Sequence, residues 1–239
     1  MTPSSPIHDF DVWGDFACFS RPEMKVERWS YPLPTPAAAR GIFDQIFCHP
    51  PEFRWDIVRI VMLSTPRYIA LRRNEVKQKV NTRSVVQWMT GVTEPSPLFA
   101  DVDKEAAGSD ERGRTQRQTM ALCDVRFRLS ARIRPWPGFE NRQKAFDDQF
   151  RRRVATGKCF QQPYFGCREF VAFFGESDPA KPACHFSQNL GLMLYDVFDL
   201  SRPNGNQVGP RISLFQAEVR DGVLEVPSYD DPRVLKPAP

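Results

Sequence analysis

The 239-residue chain has little of what most enzyme classes require. It holds three histidines, His8, His49 and His185, and no Ser-His-Asp order, Walker loop or carboxylate-rich metal cluster accompanies them. Its six cysteines, at 18, 48, 123, 159, 167 and 184, include no CxxC pair, which removes zinc-ribbon spacing. A disulfide framework is out of place in a chain this long without a secretory leader, and Met1 to Pro6 is polar and proline-rich rather than leader-like. No apolar run approaches the roughly 18 residues of a membrane span. The expectation is a cytoplasmic protein with reduced thiols, no membrane association, no metal and no cofactor.

What is present is basic charge in clusters. A formal charge of +4 is modest, so distribution matters more than the total. Val125, Phe127, Leu129, Ala131 and Ile133 alternate with Arg126, Arg128, Ser130, Arg132 and Arg134, which predicts a strand with one apolar and one cationic face. With Arg112, Arg114 and Arg117 just upstream, that makes seven arginines in 23 residues. An arginine row can grip phosphates bidentately, and it can equally be a solvated strand face.

A helix is expected from Gly138 onward, with Phe146, Phe150 and Val154 on one side and Lys144, Arg151, Arg152 and Arg153 on the others, stopped by Gly157. Then comes an aromatic loop, Phe160 to Phe165, flanked by Lys158 and Arg168. Rings interleaved with cations offer stacking platforms for single-stranded RNA, or they close a core beneath the loop. Residues 168–174 read as the following strand.

Elsewhere the chain alternates through Phe10–Phe19, with Gly14 as a possible bulge. Thr35 and Pro36 open a helix bearing Ala39, Ile42, Phe43 and Ile46. Phe53–Leu63 and Leu190–Leu200 read as strands, and Asp221-Gly222 as a hairpin turn. Residues 69–80 look like a basic arm with Arg72, Arg73 and Lys77, and 91–114 like a mobile loop. Strand, helix, strand, excursion, strand, helix, strand is the split β-α-β plan of an α+β, ferredoxin-like domain, a plan shared by RNA-recognition modules. The expected boundaries are 8–176 for that domain, with an extruded arm at about 67–118, and 177–239 for a β-rich extension ending in an irregular tail.

Several blocks carry a resemblance. Asp11-Val12-Trp13-Gly14-Asp15-Phe16, Arg21-Pro22-Glu23-Met24, Thr35-Pro36-Ala37-Ala38-Ala39-Arg40, Arg72-Arg73-Asn74-Glu75-Val76 and Cys159-Phe160-Gln161-Gln162-Pro163-Tyr164-Phe165-Gly166-Cys167-Arg168 resemble the type I-C form of the fifth CRISPR-associated protein family. The resemblance implies a RAMP protein that binds CRISPR repeat RNA, cuts the precursor at the base of the stem-loop without metal, and stays on the crRNA 5′ handle. It further implies assembly with the backbone and large subunits of the Cascade surveillance complex, and indirect contact with target DNA. Arg40, Arg72, Arg73, Lys77, Arg126, Arg128, Phe160, Tyr164 and Arg168 are the expected RNA contacts. The family's catalytic aromatic aligns with Phe47, which has no hydroxyl. Its Lys-His pair aligns with Lys144-Ala145, which keeps only the lysine. His49 and Tyr164 are candidate substitutes, and a catalytically inactive cap on the 5′ handle is the alternative reading.

Overall fold

The computed structural model describes residues 5–24, 26–77, 80–96, 114–203 and 209–237. Alternation near the N-terminus becomes strand β1, Ile7–Ala17, which buries Phe10 and Val12 completely. After a two-residue strand β2, Arg28–Trp29, the predicted helix forms as α1, Pro36–Ile46. The Thr35 hydroxyl accepts from the Ala38 N–H at 3.2 Å, satisfying one of the amides that a helix start leaves unpaired. Ala39, Ile42, Phe43 and Ile46 form its buried stripe.

Strand β3 is Phe53–Met62 and β4 is Arg67–Val76. Helix α2, Thr82–Met89, precedes the 22-residue β5, Arg114–Pro135. Helix α3 is Gln143–Ala155, followed by β6, Phe173–Glu176, and β7, Gln188–Asp196. Strands β8, Ser213–Arg220, and β9, Val223–Glu225, form the expected hairpin. Asp221 and Gly222 both take positive φ, 45° and 76°, as a two-residue turn matched to strand twist requires.

The sheet order is β6-β1-β5-β3-β9-β8-β7. Its first four strands, each antiparallel to its neighbour, have the order of a ferredoxin-like sheet, and α1 and α3 are the two crossovers. The α+β, ferredoxin-like reading therefore holds. The β-rich C-terminal segment continues the same sheet, because β9 pairs with β3 from Arg59↔Glu225 to Val61↔Val223. Aromatic rings fasten the helices to the sheet: Phe43 of α1 lies 4.8 Å from Phe10, 4.6 Å from Trp55 and 5.5 Å from Phe150 of α3.

The chain divides into two compact units, Met1–Ile69 with Met120–Pro239, and Ala70–Thr119. Inside the second, Arg117 pairs with Glu75 at 3.3 Å. Asn81 caps α2, its side chain accepting from the Arg83 N–H, yet α2 buries none of its residues. Most of the 91–114 loop expectation lies outside the described residues.

Two local expectations need correction. Residues 168–172 are not strand: Cys167 and Phe170 close a turn, the Phe170 N–H donating to the Cys167 carbonyl at 2.9 Å. A single bridge, Tyr164↔Val171, precedes the four-residue β6. Gly14 is not where the ladder breaks, since it pairs squarely with Val125, and the irregular backbone belongs to Asp124 at φ 52°. Gly14 is small because a Cβ there would run into the Val171 carbonyl and the Phe165 ring. Among the described residues, no helix is long and apolar enough to cross a membrane.

Candidate nucleic-acid interface and cleavage site

The arginine face of β5 is less bare than one strand suggests, because neighbouring strands set carboxylates against it. Arg128 Nε donates to Asp11 at 2.8 Å and Nη2 to the Asp178 carbonyl at 2.6 Å. Its hydrogen bond to Asp11 holds the guanidinium above its ordinary pKa. Arg134 pairs with Asp56 at 3.1 Å and with Asp230 at 2.8 Å. Arg126 is half-buried, its guanidinium 5.1 Å from the centre of the Trp13 ring.

Arg40 is committed in the same way. It grips Asp196 through Nε and Nη2 at 2.7 and 3.1 Å, and Asp44 through Nη1 at 2.6 Å. Burial, with Asp196 adding to it, pushes the Asp44 carboxyl up to about 6 despite the guanidinium beside it. Arg40 and Arg128, expected as RNA contacts from their charge, are instead held in internal ion pairs. Releasing either guanidinium to a phosphate would leave a buried carboxylate unpaired, a cost of roughly 3–5 kcal/mol.

The aromatic loop divides its rings between both expected roles. Phe165 is fully buried, edge-on to Phe19 and Phe127 at 5.9 Å each. Phe160 is 77% exposed, on a backbone anchored where the Phe160 and Gln161 N–H groups both donate to the Gln45 carbonyl of α1. Tyr164 is half-buried beside a cavity that runs along the outer side of α1, and Arg168 is exposed. Arg72 is exposed, and Arg73 and Lys77 are half-buried, in the 70–119 unit.

The three residues expected to cut RNA fall on two adjoining elements. Phe47 ends α1 and is 4% exposed, with its ring 5.3 Å from both His49 and Phe53 and 5.6 Å from the Arg153 guanidinium. It is a core residue, with no group to carry a proton. His49 is exposed in the turn that follows. Lys144 and Ala145 are exposed in the first turn of α3. The two elements are fastened together by Phe53 against Phe146 at 4.9 Å, Arg142 to Glu52 at 2.6 Å, and the Trp136 indole N–H to the Pro50 carbonyl at 2.8 Å. An imidazole and an ammonium thus stand on neighbouring, braced segments.

Sequence reading passed over the group that seats this helix. His8 of β1 is 4% exposed, and its Nε2 lies 2.7 Å from an Asp147 carboxylate oxygen on α3. Gln143 Nε2 also donates to both Asp147 oxygens, at 3.0 and 3.1 Å. A lone histidine at the head of a strand carries no sequence signal of such a partner. Burial lowers the His8 pKa, outweighing the carboxylate's opposite pull. The folded state therefore holds His8 neutral, whereas the unfolded chain binds a proton near the ordinary value of about 6.5. Stability from this site is present above that value and is lost as pH falls through it, by at most about 1.4 kcal/mol per pH unit for one proton. Thermal melting between roughly pH 7 and pH 5 should show this loss as a difference between the wild type and His8→Gln, which keeps a donor to Asp147, because Asp44, pushed up to about 6, contributes the opposite trend to both. A wild type that gains stability relative to His8→Gln on acidification over that range would mean Asp147 prevails instead.

Comparisons with known proteins agree along most of the chain. The model of a CRISPR-associated protein family, Cas_Cas5 (Cas5d), matches residues 9–227. The protein named CRISPR pre-crRNA endoribonuclease Cas5d from Thermus thermophilus is 37% identical over 229 residues, covering 91% of this chain and 90% of that relative. Its namesake from Mannheimia succiniciproducens is 34% identical over 227 residues, covering 91% and 93%. Two crystal structures share the fold at lower identity. One, of a CRISPR-associated protein, has a TM-score of 0.62 at 15% identity over 97% of both chains. The other, of a functionally uncharacterized Streptococcus mutans protein, has a TM-score of 0.63 at 16% identity over 97% of both chains. A match spanning both the ferredoxin-like strands and the β-rich segment after them places this chain in the Cas5d family of CRISPR-associated proteins.

Proposed function

We propose that this protein binds CRISPR repeat RNA, cuts the precursor at the base of the repeat stem-loop without a metal ion, and stays on the 5′ handle. The observation that carries this reading is the near-full-length likeness to two relatives named pre-crRNA endoribonucleases. In such a cleavage the ribose 2′-oxygen attacks the adjacent phosphorus and the 5′-oxygen departs, leaving a cyclic phosphate and a hydroxyl end. A base must take the 2′ proton, a cation must offset charge on the phosphorane-like centre, and an acid must protonate the leaving oxygen. Lys144 suits the cation, and exposed His49 suits a proton carrier. Exposed Arg72, Phe160 and Arg168, with Arg73, Lys77, Arg126 and Tyr164, supply phosphate contacts and stacking surface. The backbone and large subunits of a type I-C surveillance complex in the cytoplasm are the proposed protein partners, and target DNA is met through that complex.

A second reading rests on a specific observation: the family's catalytic hydroxyl and imidazole are replaced by buried Phe47 and by Ala145. On that reading the protein is a structural cap on the 5′ handle. Mixing the purified protein with its own repeat RNA in EDTA separates the two, since a cut supports the nuclease and a stable complex without product supports the cap. Ala145→His, at an exposed position, should then restore cutting to an inert wild type. Either reading predicts salt-sensitive binding. With about five phosphates neutralised on a single strand, log affinity falls with log salt at a slope near −3.5. A flat salt response would remove phosphate contact from the proposal.

A further inference from the structure

The fold brings two thiols that lie far apart in the chain, Cys18 and Cys167, within interaction range of each other. Backbone docking holds them there. The Cys18 N–H donates to the Phe165 carbonyl at 3.0 Å, and Gly166, at φ 80°, passes so close that a Cβ would overlap the Cys18 carbonyl. Cys167 follows directly.

The two thiols sit in different surroundings. Cys167 is half-buried, and Arg28 Nη1 lies 3.2 Å from its sulfur, which favours the thiolate. Cys18 is 1% exposed, with the Ser20 hydroxyl 3.5 Å from its sulfur. Its hydrogen bond to Cys167, and then its burial, push the Cys18 pKa up. Cys167, the more accessible sulfur and the one beside a guanidinium, is thus placed to be the nucleophile, and Cys18 is shielded behind it. A cavity of about 440 Å³, lined by Cys18, Ser20, Gly41, Tyr164 and Gly166 among others, reaches this end of β1.

We propose that Cys167 and Cys18 are a modification site for low-molecular-weight disulfides, Cys167 capturing the reagent and Cys18 expelling it to leave an internal disulfide. In the first step the Cys167 thiolate attacks one sulfur of the reagent, forming a mixed disulfide and releasing one thiolate. That thiolate, or solvent, takes the Cys18 proton. Cys18 then attacks the Cys167 sulfur, and the second reagent thiolate departs. Two electrons pass from the protein to the reagent, and the products are one protein disulfide and two small thiols. The bond would tie the turn after the aromatic loop to the end of β1, next to Tyr164 and Arg168.

Oxidised glutathione is a suitable probe, with timed acid quench, alkylation and peptide mapping by mass spectrometry of the full chain. The expected product is a Cys18–Cys167 cross-link lacking two hydrogens and carrying no glutathione, with Cys48, Cys123, Cys159 and Cys184 still alkylatable. Cys18→Ser should stop at glutathione on Cys167, and Cys167→Ser should leave Cys18 unmodified. Arg28→Gln should slow capture at neutral pH by about three- to tenfold. Should Cys18→Ser unfold, early quenches of the wild type must still catch glutathione on Cys167 rather than on Cys18. A cross-link between any other pair, glutathione retained on the wild type, or six unmodified thiols would each overturn the assignment. None of these readouts depends on RNA cleavage.

Discussion

Lys144→Ala is expected to lower the single-turnover rate of repeat-RNA cleavage by about 10²-fold or more, the scale of losing one preorganised charge-stabilising group. Lys144 sits in the first turn of α3 and is exposed, on a side of the helix opposite the buried Phe146, Phe150 and Val154. Nothing in the core depends on it, so the variant should melt with the wild type. A loss of rate can then be read as chemistry. RNA affinity should weaken only by about one phosphate contact, so the effect lies in the cleavage step rather than in binding. If the rate is unchanged while the wild type cuts, Lys144 is a solvated surface residue, and His49→Ala becomes the informative variant. Equal losses in both variants would support a shared role for the turn after α1 and the start of α3.

Phe43→Ala should destabilise the protein by about 3–5 kcal/mol, the largest stability loss expected of a single core truncation here. Phe43 is fully buried, and its ring meets Phe10 of β1, Trp55 of β3 and Phe150 of α3. Three elements therefore lose contacts at once. Their rings are too rigid to collapse into the space left behind, which is what makes a cavity costly. Urea unfolding should show a lower midpoint at an unchanged slope, because the surface exposed on unfolding hardly changes. A loss below about 1 kcal/mol would mean that the rings repack, and that Phe43 is not the point where helices and sheet meet.

The order of strands and helices was legible because its signals are local. Thr35-Pro36 marks a helix start by chemistry, Asp221-Gly222 marks a turn by backbone freedom, and the apolar parity of β5 marks a buried face. The fate of the arginines was not legible, since it depends on the strands alongside. Asp11, which claims Arg128, and Asp196, the buried partner of Arg40, lie 117 and 156 residues away in sequence, and only Asp44, four residues from Arg40, is local. For the same reason the buried pair of His8 and Asp147, 139 residues apart, leaves no trace in either segment. Helix α2 escaped notice although Val85, Trp88 and Met89 recur at helical spacing behind Asn81, because it is only eight residues long and buries none of them. The strand expected at 168–174 failed because an apolar run cannot show that the backbone beside it turns at Gly166 and Cys167. Lys144 and Phe47 were found through resemblance, and only three dimensions show that one is exposed and the other is core.

The position of β1 between β5 and β6 has a consequence for how the chain is made. Both of its partners are synthesised long after it, with Ala17 waiting for Leu122 and Phe10 for Glu176. At translation rates of about 5–20 residues per second, β1 leaves the ribosome several seconds before any strand can pair with it. During that interval Phe10 and Val12, fully buried in the finished sheet, are exposed on a nascent strand with two open edges. Helix α1 and strand β3 can begin to associate earlier, being close in sequence, but the sheet cannot close until β5 is inserted between β1 and β3. Folding is therefore governed by long-range pairing and belongs to the slow, aggregation-exposed end of the kinetic range. Yield in a heterologous host should respond more to growth temperature and chaperone supply than to any surface substitution.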